Sequence, residues 1–167
     1  MAVTKIETFF AQRQQQIPMQ VHLYALVDGL LYSDAESATP LARSAATVAL
    51  FDGTPDASIA DAGPWLIDHA HAPTLIRSTL DNLATSSTGV SWLISAYPIE
   101  SLADELRRRL DVRLPDGRMA LLRFYDARIM PDMASLMEFT QRMRFFVTTY
   151  DWLVEVNGHL KGVHPHA

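Results

Sequence analysis

A chain of 167 residues with 49% apolar and 20% charged residues can bury one sizeable core and is too apolar to stay disordered. With a net charge of −5 nothing suggests a nucleic-acid footprint, which would need a basic face, and a chain without cysteine forms neither disulfides nor thiolate metal sites, which fits a reducing compartment. The N-terminus turns polar at Gln12-Arg13-Gln14 before any apolar run develops, and no stretch approaches the roughly 18 continuous apolar residues of a membrane span. A cytoplasmic protein with no membrane partner is expected.

Thr4-Lys5-Ile6-Glu7 has capping-box spacing, so a short helix should run to about Gln16 and stop before Pro18. Val21 to Leu30 is short, almost entirely apolar and closed by Asp28-Gly29, as expected of a central strand covered on both faces. Thr39-Pro40 opens a second expected helix. Val48 to Phe51 reads as a strand before the turn Asp52-Gly53-Thr54-Pro55, and Asp56 as the start of a short helix that Gly63 ends. Pro64 to Ile67 is a brief strand.

Pro73 opens a helix with Leu75, Ile76, Leu80 and Leu83 at helical spacing, closed by the polar run Thr85 to Gly89. Val90 to Ala96 is a further internal strand. Pro98 opens the best-patterned helix, with Ile99, Leu102, Ala103, Leu106 and Leu110 on one stripe and Arg107, Arg108 and Arg109 on its solvated last turns.

Asp111 to Arg128 follows as a hairpin around Pro115-Asp116-Gly117, its second strand running from Met119 to Tyr125. Alternation places Arg123 between Leu121 and Tyr125 on an otherwise apolar face, so its guanidinium must find a carboxylate or carbonyls. Met133 to Arg144 is expected to be one helix. Trp152 to Leu160 reads as a hairpin around Asn157-Gly158, before a frayed tail from Val163 to Ala167. Strands alternating with helices and a late Pro-Asp-Gly hairpin imply a single compact α/β domain, a mixed β-sheet with flanking helices.

Six blocks then stand in a distinctive order: Leu23-Tyr-Ala-Leu-Val-Asp-Gly29, Leu50-Phe-Asp-Gly-Thr-Pro55, Ala62-Gly-Pro-Trp-Leu66, the helix before the hairpin, Arg113-Leu-Pro-Asp-Gly-Arg118 and Leu122-Arg-Phe-Tyr-Asp-Ala-Arg128. Together, from about Leu23 to Trp152, the chain resembles the adaptor (chaperone) domain of bacterial type VI secretion, catalogued as a domain of unknown function. The family pattern tends to have Pro where this chain has Ala127, which loosens that turn but keeps Asp126 and Arg128. Larger adaptors carry a further lobe after this domain, and cargo surfaces on such a lobe do not transfer. The resemblance implies a cytoplasmic, non-catalytic protein without cofactor. Its partners would be a toxic effector and the VgrG spike protein onto which the effector is loaded. It divides the chain into an N-terminal capping helix (1–20), the adaptor domain (21–153) and a C-terminal hairpin and tail (154–167).

Asp28, Arg123, Tyr125, Asp126 and Arg128 form the candidate cluster at strand ends. It is either a recognition surface or an internal ion-pair network, and because buried charges are paired the network is the expected reading, with Arg123 bonded to Asp28 or Asp126. Phe139, Phe145, Phe146 and Tyr150 are a candidate partner surface if exposed, and cover the sheet if not. Trp65, Trp92 and Trp152 are expected in the core. A small hydrolase or phosphotransferase using Asp28, Asp52 or Asp126 is the alternative function. Against it, the Asp52-Gly53-Thr54 loop has Thr where phosphotransferases carry a second aspartate. His69-Ala-His71 supplies two ligands where zinc wants three or four, and with His159, His164 and His166 it is expected to hold no metal.

Overall fold

The computed structural model describes residues 2–163, so His164, His166 and most of the expected tail lie outside it. Helix α1 (Lys5–Gln16) begins with the capping box expected of it: the Thr4 N–H donates to the Glu7 carboxylate at 2.8 Å and the Glu7 N–H returns to the Thr4 hydroxyl. Strand β1 (His22–Asp28) is buried at every position after His22, because it is the third of six strands and has neighbours on both edges.

Those neighbours are β3 (Pro64–Asp68) and β4 (Val90–Ser95); β2 (Thr47–Ala49) flanks β3, and β7 (Asp151–Val156) with β8 (His159–Gly162) extends the other side. The order is β2-β3-β1-β4-β7-β8, and the α/β class with flanking helices is as expected. Every pair is antiparallel, however, where a mixture of directions was expected. The Asn157-Gly158 turn closes β7–β8 with both residues at positive φ, 50° and 78°, the geometry that makes Asn-Gly a strong hairpin signal.

Strand parity separates the helices into two layers. Along β7, Asp151 and Glu155 reach α1, bonded to Arg13 at 2.8 Å and Lys5 at 3.2 Å. Helix α3 (Thr74–Ser87), opened by Pro73, packs on β4 and β7 and touches the short α2 (Gly29–Asp34). The opposite face carries Trp152, whose ring meets Phe124, Phe145 and Phe146 at 5.5–6.1 Å between centroids. On that side lie α4 (Ile99–Arg107), the separate hairpin of β5 (Asp111–Arg113) and β6 (Met119–Leu121), and helices α5 (Met130–Leu136) and α6 (Phe139–Phe146). All three tryptophans are buried, as expected.

Three local expectations give way. No helix follows Thr39-Pro40; the Thr39 carbonyl accepts the Tyr32 hydroxyl at 2.8 Å, and Arg43 is drawn to Asp52 and Asp61. The second hairpin strand ends at Leu121, because the Leu122 N–H bonds back to the Leu110 carbonyl and the chain turns. Met133 to Arg144 is broken at Met137-Glu138, where Glu138 and Gln141 form a second capping box.

Asp81 on α3 carries a pH dependence. Burial, then the Glu7 carboxylate, raise its pKa, Arg77 opposes and Glu155 adds, leaving it at about 6. A carboxyl raised in the folded state binds a proton that the unfolded chain has released. Stability therefore falls as pH rises from about 4 to about 6. Asp81→Asn is expected to flatten that slope and to raise the melting temperature at pH 7 by about 1–3 °C, a modest figure because the group is only partly buried and water screens it. Melting curves from pH 4 to pH 8 check it, and an unchanged slope would refute it.

Candidate functional site

Strand β1 ends on Asp28, whose carboxylate does two things. It accepts the Leu30 N–H at 2.9 Å, capping α2, and it accepts Arg123 Nη2 at 3.1 Å across 95 residues of sequence. The Asp28 side chain is buried while that of Arg123 is half exposed. Asp126 lies 3.6 Å from the same nitrogen and takes three closer bonds from Arg128: Nε at 3.1 Å, Nη2 at 3.0 Å and the backbone N–H at 3.0 Å. The Arg123 guanidinium stands 6.0 Å from the centre of the buried Tyr125 ring.

The electrostatics follow from this arrangement. Burial works to raise the Asp126 pKa, but the Arg128 bonds and the Arg123 charge outweigh it and hold the carboxyl below its usual range. Burial pushes the Tyr125 hydroxyl up. The structure thus brings all five cluster residues together, each carboxylate facing a cation that itself touches water. This is an ion-pair network at a chain crossing, where β1 hands over to α2 and the hairpin returns to α5.

Gly29 shows why the crossing is tight. Its N–H donates to the Gly63 carbonyl at 2.7 Å, and a Cβ there would stand 2.5 Å from the Asp61 carbonyl oxygen and 2.7 Å from that of Gly63. Both obstacles are backbone and cannot rotate away. Gly29→Ala is expected to cost about 1–3 kcal/mol, towards the upper end, read as a lower denaturation midpoint. A midpoint within error of the parent would sink this account of the glycine.

The remaining candidates are scattered. Asp52 receives Arg43 through Nε at 2.5 Å and Nη2 at 2.8 Å, Arg43 also reaches Asp61 at 3.0 Å, and its guanidinium covers Trp65 at 5.3 Å. That is a clasp on the Asp52-Gly53 turn, whose bonds are separate from those of Asp28 and Asp126. His69 is buried edge-on against Trp92, burial lowering its pKa, while the exposed His71 places Nδ1 2.9 Å from Asp68. Among the described residues no group of three or more His, Asp or Glu side chains is placed to hold a metal ion. The expected partner surface does not form one patch: Phe145 and Phe146 are in the core, whereas Phe139 and Tyr150 are exposed, the Tyr150 hydroxyl against Met19 Sδ at 3.3 Å.

Two arginines read as solvated turn out to be braces. Arg107 donates to the Leu50 carbonyl at 3.1 Å and the Ala49 carbonyl at 3.3 Å, and Arg109 donates to the carbonyls of Phe145 at 3.0 Å and Arg144 at 3.2 Å. No sequence signal distinguishes them from Arg108, because the carbonyls they seek belong to distant segments.

The family description "Domain of unknown function (DUF4123)" matches residues 23–144. The chain belongs to this family. No curated protein and no solved structure matches it. The DUF4123 match takes in β1 through most of α6, and with them the whole ion-pair network, Gly29 and the Asp52 clasp. Helix α1 and the β7–β8 hairpin fall outside the match, yet they share its core: Ile6, Trp152, Leu153 and Val154 pack with the residues of β1 and β4.

Proposed function

We propose that this DUF4123 protein is a cytoplasmic adaptor that binds a type VI secretion effector and promotes its loading onto the VgrG spike, without catalysis. The observation that carries the reading is the family match over most of the chain, coinciding with the ordered blocks from Leu23 to Arg128 that resemble the type VI adaptor domain. Three features support it. The Asp28, Asp52 and Asp126 carboxylates are each bonded to an arginine, and those of Asp28 and Asp126 also to a local backbone N–H, which suits scaffolding better than nucleophilic attack. The described helices include none long and apolar enough to cross a membrane. The face carrying the hairpin, α5 and α6 keeps large apolar side chains in solvent, Leu136 at 84% and Phe139 at 73% exposure.

The test is retention and export. Tagged protein co-expressed with the effector and spike encoded beside it should retain both, and deleting its gene should stop export of that effector while the spike is still released. Retention of neither partner would overturn the adaptor reading. A hydrolytic or phosphate-releasing activity lost on Asp52→Asn would replace it with an enzyme.

A further inference from the structure

An open groove of about 800 Å³ runs between the β5–β6 hairpin, the end of α4 and the α5–α6 pair. Its apolar lining is Val112, Leu122, Met133, Leu136, Met137 and Phe145. The two methionines make that lining pliable, able to fit apolar side chains of differing shape. Leu136 is 84% exposed at the end of α5, and Phe139, 73% exposed, begins α6 just beyond the Glu138 break.

The rim has a sign. Arg108, Arg109 and Arg144 stand around the groove against one carboxylate, Asp111, on a chain whose net charge is −5. Arg109 is committed to Glu105 and to the carbonyls of Arg144 and Phe145, so it fixes the wall by tying α4 to α6. Arg108 shares Glu105 from an exposed position. The Arg144 guanidinium has no ion-pair partner among the described residues, so its charge faces outward. An apolar slot with a cationic rim is complementary to a segment that is apolar on one side and acidic on its flanks.

We infer that this groove holds one amphipathic helix of the cargo effector, apolar side chains seated between α5 and the hairpin, Asp or Glu side chains opposite Arg108 and Arg144. The inference rests on the adaptor reading and adds to it the surface and the chemistry of the bound segment. A helix is about 10–12 Å across with its side chains, and anchors at i, i+3, i+4 and i+7 present one apolar face to an open, apolar-lined groove. A second copy of the chain is a poorer occupant, because a two-fold contact would set the arginine rim against itself. A folded spike is poorer too, since folded partners meet over broad faces and a slot takes one segment.

The experiment uses the full chain co-expressed with its neighbouring effector and spike, in wild-type form and as Leu136→Asp, Arg144→Glu and, at an exposed position of α3 on the opposite face of the sheet, Leu75→Asp. Both groove side chains are solvent-exposed without side-chain bonds, so melting temperatures should stay within error of wild type. Leu136→Asp is expected to cut effector retention about tenfold or more, and Arg144→Glu severalfold with a loss of salt sensitivity, while spike retention and Leu75→Asp stay at the wild-type level. A photo-crosslinker at position 136 should capture an effector segment with acidic flanks. Wild-type retention of effector that both groove variants keep unchanged would overturn the groove and spare the adaptor reading. A crosslink to the spike, to a second copy or to a basic segment would overturn it as well. Wild-type retention of neither partner would overturn both.

Discussion

Phe124→Ala is expected to destabilise the protein by about 3–5 kcal/mol, the largest effect of any single substitution considered, lowering the melting temperature by roughly 6–20 °C. Phe124 is fully buried, and its ring meets Tyr125 at 6.0 Å, Phe145 at 5.4 Å and Trp152 at 6.1 Å, each at a near-perpendicular or edge angle. It is the bolt between two parts of the molecule: Trp152 belongs to the sheet, Phe145 to α6, and Phe124 to the segment leaving the hairpin. Removing the ring leaves a cavity that cannot collapse, because the sheet on one side and the Arg109 brace on the other hold their positions. Phe124→Leu should recover about half of the loss, since it restores volume without the edge-to-face contacts. Denaturant titration measures both; a loss below about 1 kcal/mol for the alanine variant would refute the bolt.

The same segment shows what the sequence discloses and what it withholds. The Thr4–Glu7 capping box, the helices opened by Pro73 and Pro98, Asn157-Gly158 and the apolar block of β1 are local patterns with local causes, and each forms where its residues predict, whereas Thr39-Pro40 carries the same helix signal and opens none. Arg123 is legible as a group in need of a partner because it interrupts an apolar alternation. That the partner is Asp28, rather than Asp126 next door, depends on the strand order that carries β1 past the hairpin. Helix α2 is hidden for a different reason: its first two residues, Gly29 and Leu30, fall in the block that reads as a strand, and only the Asp28 cap reveals its start. The break at Met137-Glu138 was readable in principle from the Glu138–Gln141 spacing, but an uninterrupted run of good helix formers masks it. The groove has no sequence signature at all, because its walls come from three segments brought together by Phe124 and Arg109.

Asp126→Ala is expected to cost about 2–3 kcal/mol at neutral pH, somewhat less than breaking a fully buried pair. The reason for the discount is geometric: Asp126 is 1% exposed, but Arg123 and Arg128 are half exposed and can turn to water once the carboxylate is gone. The cost that remains is the loss of three charge-assisted bonds from Arg128 and of the turn they hold, since the Asp126 carbonyl also receives the N–H groups of Ile129 and Met130 that start α5. A carboxyl whose folded-state pKa lies below its unfolded value of 3.8 adds stability that is fully present above that value and is lost as pH falls through the folded pKa. The gap between wild type and Asp126→Ala should therefore be constant from pH 5 to pH 7 and close below about pH 4. A gap that persists unchanged into acid would mean that shape, not charge, is what Asp126 contributes. Arg123→Ala separates the network's two readings. Stripped of its cation, Asp28 keeps only the Leu30 N–H, so the variant should lose stability while the molecules still folded hold their partners normally. A variant of wild-type stability that no longer holds the effector would instead make Arg123 a recognition residue and move the contact surface from the groove to the chain crossing.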